Sequence, residues 1–439
     1  MKAKLKYFLE MVRTSFWFLP LVVILVTIGL AFLFIRLDTT LTIEPKGFFR
    51  HFLSGGAESA RQVLTTIAGA MLGVAGTVFS ITLVALTLAS SQFGARLLRN
   101  FMYDRLNQLV LGTYVATFLY CLLVLKTVKS DLDTGLVPNL SVMVAMILAI
   151  ANIFLLIIFI HHISISIQAD HVISDVNKNL EKSLKKLFPE GLGEEPDEAV
   201  KSERLFQNLL ITHPFSVKVS STRNGYLQAI DNEGLMSVAN NQSLIISLKH
   251  RPGDFLVENE TIAEVFSKET CTKEVKGRIR ETFVFGRVRT PVQDAEFAIH
   301  QLVEIASRAL SPGVNDPFTA ITCIDKLKAS ICYLTRAKFP SAWRYDEEGH
   351  LRLKVDPIRF SGIMDAAFNQ IRQFGKSSPS VTIRLMEALV TINEFAKDPV
   401  HRQSISRHAE MVLDAGKEAH YNDNDLKDLK ERFHKISKE

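Results

Sequence analysis

The sequence predicts a multi-domain α-helical membrane protein. Four transmembrane helices come first. A cytoplasmic α+β region follows, made of a small β-rich barrel- or sandwich-like domain and then an α-helical bundle. Three observations carry this. The 439-residue chain is 47% hydrophobic with a mean hydropathy of +0.15, high for a chain that folds in water and low for one wholly inside a bilayer. The excess lies before Ile167, in four long apolar runs. Beyond that point the apolar spacing drops to two and later returns to three or four.

The runs lie at about 16–36, 63–91, 108–126 and 140–163. Each holds about 17 or more apolar or small residues, enough to cross a hydrocarbon core of about 30 Å at about 1.5 Å per residue. The first reads "FWFLPLVVILVTIGLAFLFI" without a charge. It is too long for a signal peptide and no A-x-A-like site follows it, so a retained span is expected. Orientation follows from the flanking cations. Lys2, Lys4, Lys6 and Arg13 precede the first run. Arg96, Arg99 and Arg105 join the second to the third, against the single acid Asp104. Both segments are expected inside. Lys126 and Lys129 are offset by Asp131 and Asp133, while Lys46, Arg50 and Arg61 run against the rule. An even number of spans places both termini in the cytoplasm. The expected organisation is a transmembrane domain over 1–168 and a stalk helix with linker over 169–200. A β-rich domain over 201–285 and a helical domain over 286–439 complete it.

The second run is unlike the others. Gly69, Gly73, Gly76, Ser80, Thr87 and Ser91 recur mostly three or four apart, so they share one helix face; Thr77 borders it and Val84 interrupts it. Two readings follow: a small-residue face for close helix packing, or the lining of a pore formed by several copies. No Asp, Glu, Lys or Arg lies in the core of any run. That weighs against a pump or an ion-coupled carrier and less against a passive channel. His161 and His162 close the fourth run as an expected interfacial pair.

In the second half, Ile173, Val176, Leu180, Leu184 and Leu187 mark a helix continuing from the fourth run. A Pro/Gly/acid linker over 189–196 ends it. "FSVKVSS", "GYLQAI", "SLIISLKH", "DFLV" and "TIAEVF" are short, β-branched or aromatic, and bounded by Asn-Gly and Pro-Gly. They predict strands. Their rhythm resembles the biotinyl/lipoyl type of barrel-sandwich domain. No Met-Lys-Met hairpin tip is present, so no covalent cofactor is expected. After Gly286, Ala295, Ile299, Leu302, Ala306 and Ala309 form a buried stripe, with Asp294, Gln301, Glu304 and Arg308 off it. Thr290-Pro291 is expected to start that helix. "ALSPGVNDPFTA" then reads as a capped junction: Pro312-Gly313 ends one helix and Asp316-Pro317 begins the next. Four further segments show helical spacing, and a charged, hairpin-like connector spans Leu334 to Asp356.

No catalytic pattern is present: no H-E-x-x-H, G-x-S-x-G, phosphate loop or dinucleotide fingerprint. The four cysteines form no C-x-x-C pair, so neither metal nor disulfide is expected of them. The net charge of +5 suits an anionic inner leaflet. Without a basic stripe interleaved with aromatics, nucleic acid is not an expected partner.

"SSQFGARLLRNFMYDRLNQLVLGTYVATFLYCLLVL", "RTPVQDAEFAIHQLVEIASRALSPGVNDPFTAI" and "NGYLQAID" together resemble the DUF2254-type family of bacterial integral membrane proteins. The resemblance implies a bacterial inner-membrane protein and supplies no activity. The expected function is a homo-oligomeric passive channel for ions or small solutes, gated by its cytoplasmic domains. The pore-lining or packing face would be Gly69, Gly73, Gly76, Thr77, Ser80, Thr87 and Ser91. The alternative is a membrane-anchored scaffold or sensor that binds a partner or an anionic ligand at the junction 311–319. Its candidate ligand or interface residues are Arg289, Gln293, Asp294, Arg308, Asn315 and Asp316.

Overall fold

The computed structural model describes residues 15–40, 56–94, 104–128, 138–188 and 196–437. Lys2, Lys4, Lys6, Arg13, Lys46, Arg50, Arg96, Arg99, Lys129, Asp131 and Asp133, with the linker 189–195, lie outside the described residues. The chain forms two compact units that divide at His171.

Among the described residues the first unit has four helices, each long and apolar enough to cross a membrane: α1 (Phe18–Thr40), α2 (Gly56–Phe93), α3 (Arg105–Leu125) and α4 (Asn139–Ser166). Helix α3 touches the other three and buries Tyr114, Tyr120 and Cys121. Apolar burial drives little here, because lipid tails are as apolar as leucine; close packing and buried hydrogen bonds hold such helices together. Two helices approach closely at Gly112, where an added Cβ would lie 2.9 Å from the Cα of Pro20. Helix α2 starts at Gly56, earlier than the apolar run, and its 38 residues span about 57 Å, longer than a bilayer core.

Helix α4 has no cap of its own, since its N-cap residue is Pro138. Asp38 of α1 supplies one. Its Oδ1 accepts from the Leu140 backbone N–H at 2.9 Å, and its Oδ2 from the Ser141 N–H at 2.9 Å and hydroxyl at 2.6 Å. A carboxylate against the positive end of a helix is favourable by the same dipole logic that selects Asp as an N-cap.

Helix α4 ends at Ser166, and α5 (Ala169–Leu187) begins after two intervening residues, so the expected continuous stalk is interrupted at Ile167 and Gln168. The second unit then has α6 (Pro196–Thr212) and a β region. Strands β1 (Phe215–Ser220), β3 (Ile245–Leu248) and β5 (Thr261–Ser267) join β7 (Trp343–Tyr345) and β8 (Leu351–Lys354) in a five-stranded sheet of order β1-β5-β3-β8-β7. Its pairs are antiparallel except β3 with β8. Strands β4 (Phe255–Leu256), β2 (Gly225–Ile230) and β6 (Phe283–Gly286) form a second sheet. Helices α7 (Asn232–Asn241) and α8 (Lys273–Glu281) pack Leu235 and Ile279 into the core with Leu227, Ile246 and Val265. The connector after Leu334 is a hairpin, β7–β8, and it returns to complete the larger sheet.

Six helices complete the unit: α9 (Glu296–Ala309), α10 (Pro317–Leu334), α11 (Phe360–Gly375), α12 (Pro379–Phe395), α13 (Pro399–Glu418) and α14 (Asp423–Ser437). Three of them open on Pro317, Pro379 and Pro399, where the ring fixes φ and no N–H is needed. Asp316 and Asp398 cap two of these through their carboxylates. Helix α9 departs from the sequence reading twice. It starts at Glu296, so Thr290 does not cap it. Asp294 and Gln301, expected off the stripe, are buried, because neighbouring elements cover α9 nearly all round.

Candidate functional site

On α2 the two faces separate cleanly. Ala60, Leu64, Ala68, Met71, Ala75, Val78, Ala85 and Ala89 are buried within the unit. Gly69, Gly73, Gly76, Thr77, Ser80, Thr87 and Ser91 all point outward. A Cβ built on any of the three glycines meets nothing within 4 Å. The small residues with which α2 packs inside the unit are therefore alanines, and its Gly/Ser/Thr face lies bare on the surface. Its hydroxyls bond back to their own helix: Thr77 to the Gly73 carbonyl at 3.2 Å, Ser80 to Gly76 at 2.9 Å, Thr87 to Leu83 at 2.9 Å and Ser91 to Leu88 at 2.9 Å. This back-bonding satisfies each donor without a partner helix.

Inside the unit, a column of polar groups, buried midway and half-buried at its ends, joins α3 to α4. The Tyr120 hydroxyl donates to the Ser141 carbonyl at 3.1 Å, beside the Asp38 cap. Midway, Asn152 donates to Thr117 Oγ1 at 2.8 Å while Tyr114 donates to the Asn152 carbonyl at 2.7 Å. At the far end His162 Nε2 pairs with Asp104, whose other oxygen caps α3 through the Leu106 N–H at 2.8 Å. The Oδ1 atoms of Asn107 and Asn152 are buried without a partner among the described residues. Single polar residues in apolar runs were the only sequence signal for this column.

The second unit brings three of the candidate residues together. Gln293 places its amide against the backbone of Ile230, accepting its N–H at 2.9 Å and donating to its carbonyl at 3.0 Å, as a neighbouring strand would. Arg289 pairs with Asp294 at 2.7 Å, and Asp294 is only 4% exposed. Burial pushes the Asp294 carboxyl above its usual range, and Arg289 opposes this. Gly253, at φ +109, lies against it: a Cβ there would meet Asp294 Oδ2 at 2.8 Å. Arg251 reaches Glu296 at 2.7 Å. Burial raises Glu296 as well, but the neighbouring His300 imidazole, 3.7 Å away, and the Arg251 charge outweigh it and hold the group below its usual range. These contacts clasp the small sheet to the start of α9. They also explain why residues 290–295 are not helical: their side chains are committed to the sheet.

Arg308, Asn315 and Asp316 lie at the other end of α9. The Arg308 carbonyl accepts from the Ser311 hydroxyl at 2.6 Å. Asn315 adopts φ +49, which Asn tolerates better than most residues. Asp316 caps α10, accepting from the Thr319 N–H at 3.1 Å and hydroxyl at 2.5 Å. The corner leaves Val314 50% and Phe318 78% exposed. Among the described residues no three His, Cys, Asp or Glu side chains converge as a metal site.

The family model described as "Predicted membrane protein (DUF2254)" matches residues 13–391. The chain belongs to the DUF2254 family. The DUF2254 match takes in α1 to α4, both sheets, the clasp and the α9–α10 corner, and it ends within α12. Uncharacterised proteins of Mycobacterium tuberculosis and Mycobacterium bovis are 30% identical over 376 residues, covering 84% of this chain and 71% of theirs. No solved structure matches the chain.

Proposed function

We propose that this DUF2254 protein is a subunit of a homo-oligomer in the bacterial inner membrane, with both termini cytoplasmic. Copies meet through the bare face of α2, around a passive path for ions or small solutes that the cytoplasmic region gates. One observation carries the reading. The Gly/Ser/Thr face points away from its own bundle, while an alanine face does the packing inside. Glycine gains little from lipid, and small residues let two helices approach closely. The lack of charge in the span cores suits passive permeation rather than coupled transport.

The test is planar-bilayer conductance of the purified protein beside Ser80→Leu, with native mass of wild type and Gly73→Leu in detergent. Currents that Ser80→Leu abolishes or reshapes support the path. A smaller mass for Gly73→Leu, with unchanged thermal stability, supports the interface, since nothing in the subunit opposes the new side chain. A silent, monomeric wild type sinks both.

The second reading is an anchored scaffold or sensor that docks a partner at residues 311–319. The apolar pair Val314 and Phe318, exposed on a rigidly capped corner, favours it. Its test is Phe318→Ser in the full chain: stability should hold while association with a partner is lost.

A further inference from the structure

A cleft of about 630 Å³ opens on one face of the five-stranded sheet, a size typical of small-molecule sites. Helix α6 covers that face only in part. Its Phe206 packs with Ile245, Trp343 and Leu351, and the cleft begins where this cover stops. The back wall is aromatic and internally closed. The Lys354 ammonium sits 4.6 Å from the Phe206 ring centre and 4.8 Å from that of Trp343, and 3.0 Å from Glu203. Lys249 is paired in the same way with Glu264 at 2.8 Å.

Two charged residues of the lining remain. Asp356 and Arg359 follow β8 and are exposed. Neither makes a side-chain hydrogen bond or ion pair among the described residues. Arg359 occupies the N-cap position of α11, yet its side chain does not cap the helix. The cleft thus offers one unpaired guanidinium, one unpaired carboxylate and a half-buried apolar wall of Leu210, Phe266 and Val355. A single anion would meet Asp356 unfavourably, and a single cation would meet Arg359 unfavourably. A molecule that carries both charges satisfies both.

We propose that this cleft binds a zwitterion with an apolar body, a free amino acid or a short peptide. Its carboxylate lies on Arg359, its ammonium on Asp356 and its apolar part against Leu210, Phe266 and Val355, with the buried Trp343 behind them. The cleft and the α2 face belong to different units of the chain, and neither reading depends on the other.

The chain has two tryptophans, so Trp17→Phe leaves Trp343 as the sole emitter. Full-length protein in detergent is titrated with L-phenylalanine and, separately, with the tripeptide Phe-Gly-Phe. Phenylacetate and phenethylamine, each lacking one charge, are the comparisons. A saturable change in Trp343 emission is expected from one or both zwitterions, and the tighter of the two identifies the source. Each singly charged analogue should bind at least about tenfold more weakly. Arg359→Ala should bring L-phenylalanine down to the level of phenethylamine, and Asp356→Ala down to that of phenylacetate. Both variants lie on exposed side chains, and an unchanged melting temperature confirms that each is folded. No saturable change from either zwitterion up to about 10 mM overturns the proposal. So does binding that both variants leave unaltered.

Discussion

Replacing Asp38 with alanine should loosen the membrane unit more than any other single change at a helix end. The substitution removes three hydrogen bonds together, at 2.9, 2.9 and 2.6 Å. Each hydrogen bond to a charged group contributes about 1.5–3 kcal/mol, and an N-cap about 1 kcal/mol. The three share one carboxylate that is partly open to solvent, and freed helix N–H groups at a membrane surface can find water. The expected loss is therefore about 3 kcal/mol rather than the full sum. Asp38→Asn keeps one acceptor oxygen and should cost about half as much. Ser141→Ala removes only the hydroxyl contact and should cost about 1 kcal/mol. Asp38→Ala should then cost less in the Ser141→Ala background than alone, because the residues share a bond. The assay is SDS unfolding in mixed micelles, followed by emission of Trp17 in a Trp343→Phe background. Trp17 lies just before the first residue of α1, the helix that carries Asp38. A loss below about 0.5 kcal/mol, or strictly additive losses, would refute the cap.

Gly112→Leu should prevent assembly of the four-helix unit, because even a Cβ there lies 2.9 Å from Pro20 Cα; normal folded yield would contradict the packing. Asp316→Ala should cost about 1–2 kcal/mol by uncapping α10, seen as a lower thermal midpoint, while Asp316→Asn should be near neutral. Burial holds His408 down to about 4 from an ordinary 6.5, with Asp365 opposing and Arg407 and Arg372 assisting. The fold keeps this histidine neutral while the unfolded chain protonates first. Its contribution is whole above about 6.5, falls as pH drops and levels off below about 4, about 3 kcal/mol in all. His408→Gln should flatten thermal stability across that window, leaving the same-sign share of His401, and an unchanged slope would refute this.

Much of this architecture is legible in the residues. The four spans need only composition, and the caps at Asp316-Pro317 and Asp398-Pro399 need only local geometry. Other features depend on contacts distant in sequence. Asp38 and Ser141 are 103 positions apart, and a charge at the end of an apolar run does not say which helix it caps. Thr290-Pro291 carries a strong helix-start signal, yet Gln293 and Asp294 are held by Ile230 and Arg289, and the helix waits until Glu296. Strand β8 finds its parallel partner β3 across a stretch that holds the whole of α9 and α10, with α8 and four strands besides, a pairing that spacing cannot reveal. Of the candidate residues, the α2 face was legible as a face, but periodicity gave no sign of which way it points. Asp356 ends the charged connector and Arg359 lies just beyond it, and no spacing marks them, because a cleft exists only once α6 and the sheet are assembled.

The back-bonded hydroxyls of α2 leave that surface chemically one-sided. Thr77, Ser80 and Thr87 have already given their protons to carbonyls one turn behind. What they show to the outside is oxygen lone pairs. A neighbour that brings hydrogens, such as Cα–H groups of a closely packed helix, a water or a hydrated cation, finds acceptors in a row. An anion finds only partial negative charge and no donor. The helix has thus set the polarity of its outer face by spending its protons on itself.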